Sequence, residues 1–211
     1  MIQKTGISPI ILSSIDFNLL TFIPIGLATI LLAWVTIRRT PEYAKGRKVN
    51  IIGLCLMAVL SFSLYHIFGV SGNLLKSLFL ADAFLYASIS DYRIRRVPDW
   101  VSVIIALLGI FSVSASDLLW NAVTGIAAFG FFFLAAIISK NKIGGADVKF
   151  IAASMFVCGL NAGLAGLIFG LALSVIGTMI RNKKTKSKDK TMPMIPYLSV
   201  GFLTAFMIGG I

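Results

Sequence analysis

Apolar residues along the chain form eight runs, each bounded by charged or turn-forming residues. A helix that crosses the hydrocarbon core of a bilayer, about 30 Å thick, needs about 20 apolar residues. The pattern therefore predicts an all-α, polytopic membrane bundle of about eight helices. The fourth, sixth and eighth runs are short for a full crossing, which is tolerated where a segment is buried in protein or lines a wet cavity. The runs fall near 18–37, 50–70, 74–92, 100–115, 118–139, 146–158, 161–180 and 194–211.

Lysine and arginine are concentrated in four connecting segments, which hold 17 of the 19 basic residues. Because basic loops stay on the cytoplasmic side of a membrane, eight crossings with both termini on the extracytoplasmic side fit this distribution. If 146–158 were only a loop, the last basic segment would lie on the opposite side from the others. The four segments are 38–49, 93–96, 140–149 and 181–190, and the two exceptions are Lys4 and Lys76.

The composition, 58% hydrophobic and 13% charged, excludes a water-soluble fold. A net charge of +11 can indicate nucleic-acid binding, but here the basic residues lie in short loops between apolar runs. We therefore expect a multi-pass protein of the cell membrane that contacts the lipid bilayer and no nucleic acid. Residues 1–73 are predicted to hold two N-terminal helices of unknown role, and 74–211 a six-helix core.

The two cysteines, Cys55 and Cys158, lie in separate apolar runs, and the sequence has no C-x-x-C pair. Neither a zinc site nor a disulfide framework is predicted from this arrangement. Ionisable residues inside membrane segments are a better guide to function, because they are costly to place there.

Asp91 ends the third run on the basic side and is followed by Arg93, Arg95 and Arg96. One interpretation is an interfacial carboxylate paired with Arg93 or Arg95, which would contribute little. The other is a catalytic group. Asp99, directly after Pro98, is predicted to cap the fourth helix.

Asp147 follows Gly144, Gly145 and Ala146 in a break between two apolar runs, again on the basic side. An acidic residue at a helix N-terminus is favoured by the helix dipole, so a capping role is one interpretation. A cap alone, however, does not require three small residues, which let another backbone or a peptide approach closely.

Two carboxylates brought together at one membrane face can share a proton, with one acting as base towards water and the other as acid towards a peptide carbonyl. Asp91 at a helix C-terminus and Asp147 at a helix N-terminus predict that Asp147 is the base and Asp91 the acid. Asp82 lies nine residues before Asp91, on the opposite helical face, and is predicted to make a structural polar contact with another helix. His66 is predicted to do likewise.

Three segments resemble the prepilin and preflagellin leader peptidase family of membrane aspartyl peptidases. Residues 91–99 are similar to its first aspartate followed by a basic segment ending in valine or isoleucine and proline. Residues 144–149 are similar to its G-x-G-D motif, with Ala146 in place of the second glycine. Residues 192–198 are similar to its proline-rich entry into the last helix.

This resemblance implies an aspartic-type endopeptidase that removes the short leader of type IV pilin-like or archaellin precursors, just before their hydrophobic N-terminal helix, at the cytoplasmic face. It implies no metal and no cofactor. Larger relatives that also methylate the new N-terminus carry a cytoplasmic segment with paired C-x-x-C motifs, which this sequence lacks, so no methyltransferase activity is expected. The implied catalytic residues are Asp91 and Asp147, and the motif-supporting or substrate-binding residues are Gly144, Gly145, Ala146, Lys149, Arg93 and Pro98.

Two other classes remain open at this point. Membrane acids and glycine breaks also mark the ion paths of small ion-coupled transporters. A non-catalytic assembly component would tolerate loss of both aspartates.

Overall fold

The structure is a computed structural model, and it describes residues 19–40, 47–111, 114–139, 143–184 and 193–209. Within these ranges every regular element is a helix and no strand occurs, which confirms the all-α prediction. The count of eight helices is not confirmed, because the described residues form seven. Both termini lie outside the described residues, and their side of the membrane stays a prediction. The helices are α1 Leu19–Arg38, α2 Arg47–Phe68, α3 Gly72–Ile94, α4 Asp99–Ile110, α5 Ala115–Ile138, α6 Gly145–Lys184 and α7 Ile195–Gly209.

Four helical segments are long and apolar enough to cross a membrane. Helices α4 and α7 are apolar but shorter, and α3 carries the buried polar residues Lys76, Asp82 and Asp91. Many large apolar side chains on the outer surface are exposed, as expected for surfaces that face lipid rather than water. The four segments are Thr21–Arg38, Lys48–Phe68, Ala115–Ile138 and Gly145–Arg181.

Helix α6 reverses direction at Gly159, where φ is 71° and ψ is −176°. This backbone conformation is essentially restricted to glycine. A Cβ added at Gly163 would lie 3.4 Å from Cα of Met155, whereas residues eight apart in a straight helix are separated by about 12 Å along its axis. The bend falls between the predicted runs 146–158 and 161–180. The first arm of α6, before Gly159, corresponds to the first of these runs, and the second arm, after Gly159, corresponds to the second.

Helices α3 and α6 form the centre of the bundle. Helix α3 packs against α1, α2, α4 and α7, while α6 packs against α4, α5 and α7. An aromatic column joins the two, since the ring of Phe150 lies 5.2 Å from that of Phe84 and 6.4 Å from that of Phe202. This core connects α3 to the beginning of α6 through side-chain contacts.

The second arm of α6 and α7 meet backbone to backbone. A Cβ added at Gly201 would lie 2.5 Å from N and 2.7 Å from Cα of Gly170, and closer still to the carbonyl oxygen of Gly166. Small residues are needed where membrane helices approach this closely. These three glycines therefore fix the position of α7 against α6.

Candidate active site

Asp91 lies in the last turn of α3 and is buried, with 8% of its surface exposed. Its Oδ2 accepts a hydrogen bond from the backbone N–H of Ile195 at 3.1 Å, and the N–H of Met194 also donates to this carboxylate. Met194 directly precedes α7 and Ile195 is its first residue, and N–H groups at a helix N-terminus lack acceptors within the helix. Asp91 therefore caps α7 from a different helix, and the proline-rich segment before α7 delivers these donors.

Asp147 is the third residue of α6, and its carboxylate accepts a hydrogen bond from the backbone N–H of Gly144. In this geometry an acidic side chain in the first turn accepts the backbone N–H of the residue that precedes the helix. A Cβ at Gly144 would lie 3.0 Å from Oδ2 of Asp147, so a side chain there would crowd the carboxylate. A capping contact is thus present, and it also fixes the direction of the carboxylate.

The carboxylates of Asp91 and Asp147 are close enough to repel each other electrostatically. The end of α3, the beginning of α6 and the beginning of α7 therefore meet at one place. Two acidic groups in such a position favour sharing one proton, because ionising the first makes ionising the second harder. We call these two residues the aspartate pair.

Helix polarity does not distinguish the two members of the aspartate pair. The expectation that Asp91 is the acid rested on its place at the C-terminus of α3, but its carboxylate lies at the N-terminus of α7. Both carboxylates accept backbone N–H groups at helix N-termini, where the dipole favours negative charge. The argument from helix polarity is therefore wrong for Asp91.

Arg93 and Arg95 have different surroundings. The guanidinium of Arg93 donates to Oγ1 of Thr40, which follows α1, and to Oδ1 of Asn50, which lies at the start of α2, so it ties the end of α3 to both helices. Arg95 takes a left-handed conformation, with φ 54° and ψ 34°, and its N–H donates to the carbonyl oxygen of Asp91 at 2.9 Å. Its charge acts favourably on the Asp91 carboxylate.

The predicted capping role of Asp99 is wrong. Pro98 occupies the cap position of α4 without a side-chain cap, and Asp99 is the first helical residue. Its carboxylate instead lies 2.8 Å from Nζ of Lys149. This ion pair joins the start of α4 to the first turns of α6, beside Asp147.

The remaining supporting residues and polar groups lie around or away from the pair. Ala146 is half-buried, and a Cβ at Gly145 would meet open space. Oγ1 of Thr36 donates to Oδ2 of Asp82 at 2.7 Å, so the predicted interhelical contact of Asp82 is confirmed. His66 is exposed in the last turn of α2. No group of three or more metal-ligating side chains occurs among the described residues.

A groove between α4, α5 and α6 was not predicted from the sequence. Its volume is about 540 Å³, and its lining includes Asp99 and Lys149. The rest of its wall is mainly apolar, with small residues that leave the space open. Among these are Ala106, Ala122, Gly125, Ala152 and Ala153. The small residues on successive turns of α4, α5 and α6 are the signal that could have revealed it.

Comparison with known proteins gives two matches to this chain. Residues 78–181 match the model of the Type IV leader peptidase family. The chain is also similar to the prepilin leader peptidase/N-methyltransferase of Bacillus subtilis (strain 168), with 24% identity over 165 residues. That alignment covers 76% of this chain and 64% of the relative. No solved structure gives a significant match.

Proposed function

We propose that the chain is a membrane aspartyl endopeptidase of the Type IV leader peptidase family, whose model residues 78–181 match, and that its catalytic groups are Asp91 and Asp147. The observation that carries the proposal is the convergence of these two carboxylates, from α3 and α6, at one end of the bundle. In this mechanism the ionised carboxylate takes a proton from a water molecule as the water attacks the peptide carbonyl carbon. The protonated carboxylate donates a hydrogen bond to the carbonyl oxygen. A proton then passes to the leaving nitrogen as the C–N bond breaks.

The proposed substrates are precursors with a short leader and a hydrophobic N-terminal helix, of the type IV pilin-like or archaellin kind. The name of the Bacillus subtilis relative supports the pilin-like class. The groove between α4, α5 and α6 supports it independently, because its apolar wall begins at Lys149, two residues after Asp147. An apolar helix packed there would present the residues that precede it to the aspartate pair.

We place cleavage at the cytoplasmic membrane face. The aspartate pair lies at the end of the bundle that carries Arg93, Arg95 and Lys149. Basic residues mark cytoplasmic loops. The six-helix core of residues 74–211 would carry this activity, with α1 and α2 packed against it through contacts such as that of Thr36 with Asp82.

The proposal includes no methyltransferase activity. Its basis is the pair of widely separated cysteines, Cys55 and Cys158, which form no C-x-x-C motif. The mass of the cleaved product's N-terminal peptide, after reaction with S-adenosylmethionine present, tests this part. An added methyl group would refute it.

The central test uses membranes carrying wild type, Asp91→Asn or Asp147→Asn, incubated with a pilin-like precursor. Asparagine keeps an oxygen that can accept the N–H of Ile195 or of Gly144, so α7 and α6 stay capped while the acid–base group is lost. We expect each substitution to slow leader removal by at least about 100-fold, the usual contribution of an acid–base group.

Two aspartates serve as matched controls. Asp82→Asn removes a buried carboxyl group from the same helix as Asp91, and Asp117→Asn removes an exposed one in the first turn of α5. Both should cleave at close to the wild-type rate. If Asp91→Asn and Asp147→Asn membranes still shorten the precursor, the peptidase proposal fails. Aspartate-dependent ion flux in proteoliposomes would then favour the transporter.

A further inference from the structure

Lys76 is a buried cation far from the aspartate pair. It lies in the second turn of α3, has 7% of its surface exposed, and is one of the two basic residues outside the four basic segments. Fifteen residues separate it from Asp91, or about 22 Å along the helix at 1.5 Å per residue. An ionisable side chain buried in a membrane domain is costly and indicates a function.

Among the residues that the structure describes, no neighbour of Lys76 neutralises its charge. Its Nζ lies 5.8 Å from the ring centroid of Phe206, at the outer limit of a cation–π interaction. Cys158 is close enough for an electrostatic interaction. Within the part of the chain that the structure describes, no oxygen accepts a hydrogen bond from Nζ and no carboxylate pairs with it. Because Lys76 is buried as a residue and has no counter-charge among the described residues, a ligand that supplies one is favoured.

Lys76 lines a cavity of about 160 Å³. This is several times the volume of about 30 Å³ that one water molecule occupies in the liquid. About half of the wall surface is polar, and none of the described residues that line it is acidic, so no described side chain in the wall would repel an anion. The lining residues are Phe68, Asn73, Lys76, Val157, Cys158, Ala162, Phe206 and Gly209.

The same cavity lies at the N-terminus of α3. Asn73, the second residue of α3, contributes to the wall. Ser71 caps the helix by accepting the N–H of Leu74 at 3.3 Å, which leaves the N–H groups of Gly72 and Asn73 without a partner inside the helix. Free N–H groups and the positive end of the dipole favour an anion there. The N-terminus of α3 and the ammonium of Lys76 therefore both favour an anionic ligand.

We propose that this cavity binds the phosphate group of an anionic ligand, with Lys76 as its counter-charge and Asn73 as a hydrogen-bond donor. Such a phosphate is available either in a phospholipid headgroup or as free inorganic phosphate. An adjoining groove of about 390 Å³ shares Cys158, Ala162 and Gly209 with the cavity and continues along Leu160 and Ile208. A phospholipid would lay its glycerol and upper acyl chains in this groove. The site does not depend on the peptidase proposal.

The test uses the purified full chain, freed of lipid in a neutral detergent, with three probes. These are phosphatidylglycerol, diacylglycerol with the same acyl chains, and inorganic phosphate. Native mass spectrometry counts bound lipid, and the shift in melting temperature reports phosphate binding. We expect wild type to bind one phosphatidylglycerol at least about tenfold more tightly than diacylglycerol, as hydrogen bonds to a charged group are worth this much.

Three variants connect binding to the lysine. Lys76→Met should abolish the preference for phosphatidylglycerol over diacylglycerol, and Lys76→Arg should keep it. Lys48→Met, at an exposed position at the opposite, basic end of the bundle, is the control and should bind as wild type does. If inorganic phosphate raises the melting temperature of the wild type but not of Lys76→Met, free phosphate is a sufficient ligand. If only phosphatidylglycerol binds, the ligand is the lipid.

Two results overturn the proposal. The first is that the wild type neither prefers phosphatidylglycerol over diacylglycerol nor responds to phosphate. This result refutes the proposal even if the variants do not fold. The second is a preference that persists unchanged in Lys76→Met.

Discussion

Replacing Gly201 by alanine tests the contact that positions α7. An alanine in a helix is normally favoured over glycine by about 1 kcal/mol. At Gly201 the new Cβ would meet backbone atoms of Gly166 and Gly170, at 2.5 Å and 2.7 Å from the latter's N and Cα. Helices α6 and α7 must separate by about 1 Å to restore ordinary contact, because backbone atoms cannot rotate away as a side chain can.

The expected net effect follows from these two opposing contributions. Overpacking typically costs about 1–3 kcal/mol, and a backbone-to-backbone contact belongs at the upper end. After the gain in helix propensity is subtracted, Gly201→Ala should lower the free energy of unfolding by about 2 kcal/mol. Because the separation draws Ile195 away from Asp91, cleavage of the precursor should fall in the same variant.

The assay is equilibrium unfolding in mixed micelles with increasing sodium dodecyl sulfate, followed by circular dichroism. Gly130→Ala on α5 is the matched control, since a Cβ there meets nothing within 4 Å. It should raise the free energy of unfolding by about 0.5–1 kcal/mol. If Gly201→Ala raises the free energy of unfolding as much as Gly130→Ala does, the close packing of α7 against α6 is refuted.

In the same assay, Gly159→Ala should lower the free energy of unfolding by about 1–3 kcal/mol, because a positive φ strains alanine and its Cβ would lie 2.8 Å from Oδ1 of Asn121. Stability equal to that of Gly130→Ala would show that the chain does not reverse at this residue. Arg93→Lys should lower the free energy of unfolding by about 2 kcal/mol, since lysine keeps the charge but lacks the planar fork whose two terminal nitrogens bond Thr40 and Asn50 separately. Arg96→Lys at an exposed position should change stability by less than about 0.5 kcal/mol, and equal effects of the two substitutions would contradict the assigned contacts.

The helices were largely predictable because apolar runs and charged boundaries are local properties of the sequence. The break between 158 and 161 was also predicted, and Gly159, with its positive φ, lies at this break. The contact of Asp82 with another helix followed from its place inside an apolar run.

Contacts between distant residues were not predictable in the same way. Nothing near Asp91 in the sequence indicates that its partner is Ile195, because their contact arises only when α3 and α7 pack together. The preference of Asp99 for Lys149 over a cap likewise depends on how α4 meets α6. For this reason the argument from local helix polarity does not hold for Asp91, and the acid and base roles of the two aspartates stay a prediction.

The bond from Ile195 to Asp91 joins residues 104 positions apart. During synthesis, Asp91 is therefore made and inserted well before Ile195, whose N–H orients its carboxylate. Until α7 is inserted, the nascent chain holds both acids but lacks the complete arrangement around them. Under the proposed function, precursor cleavage should therefore begin only after α7 is in place.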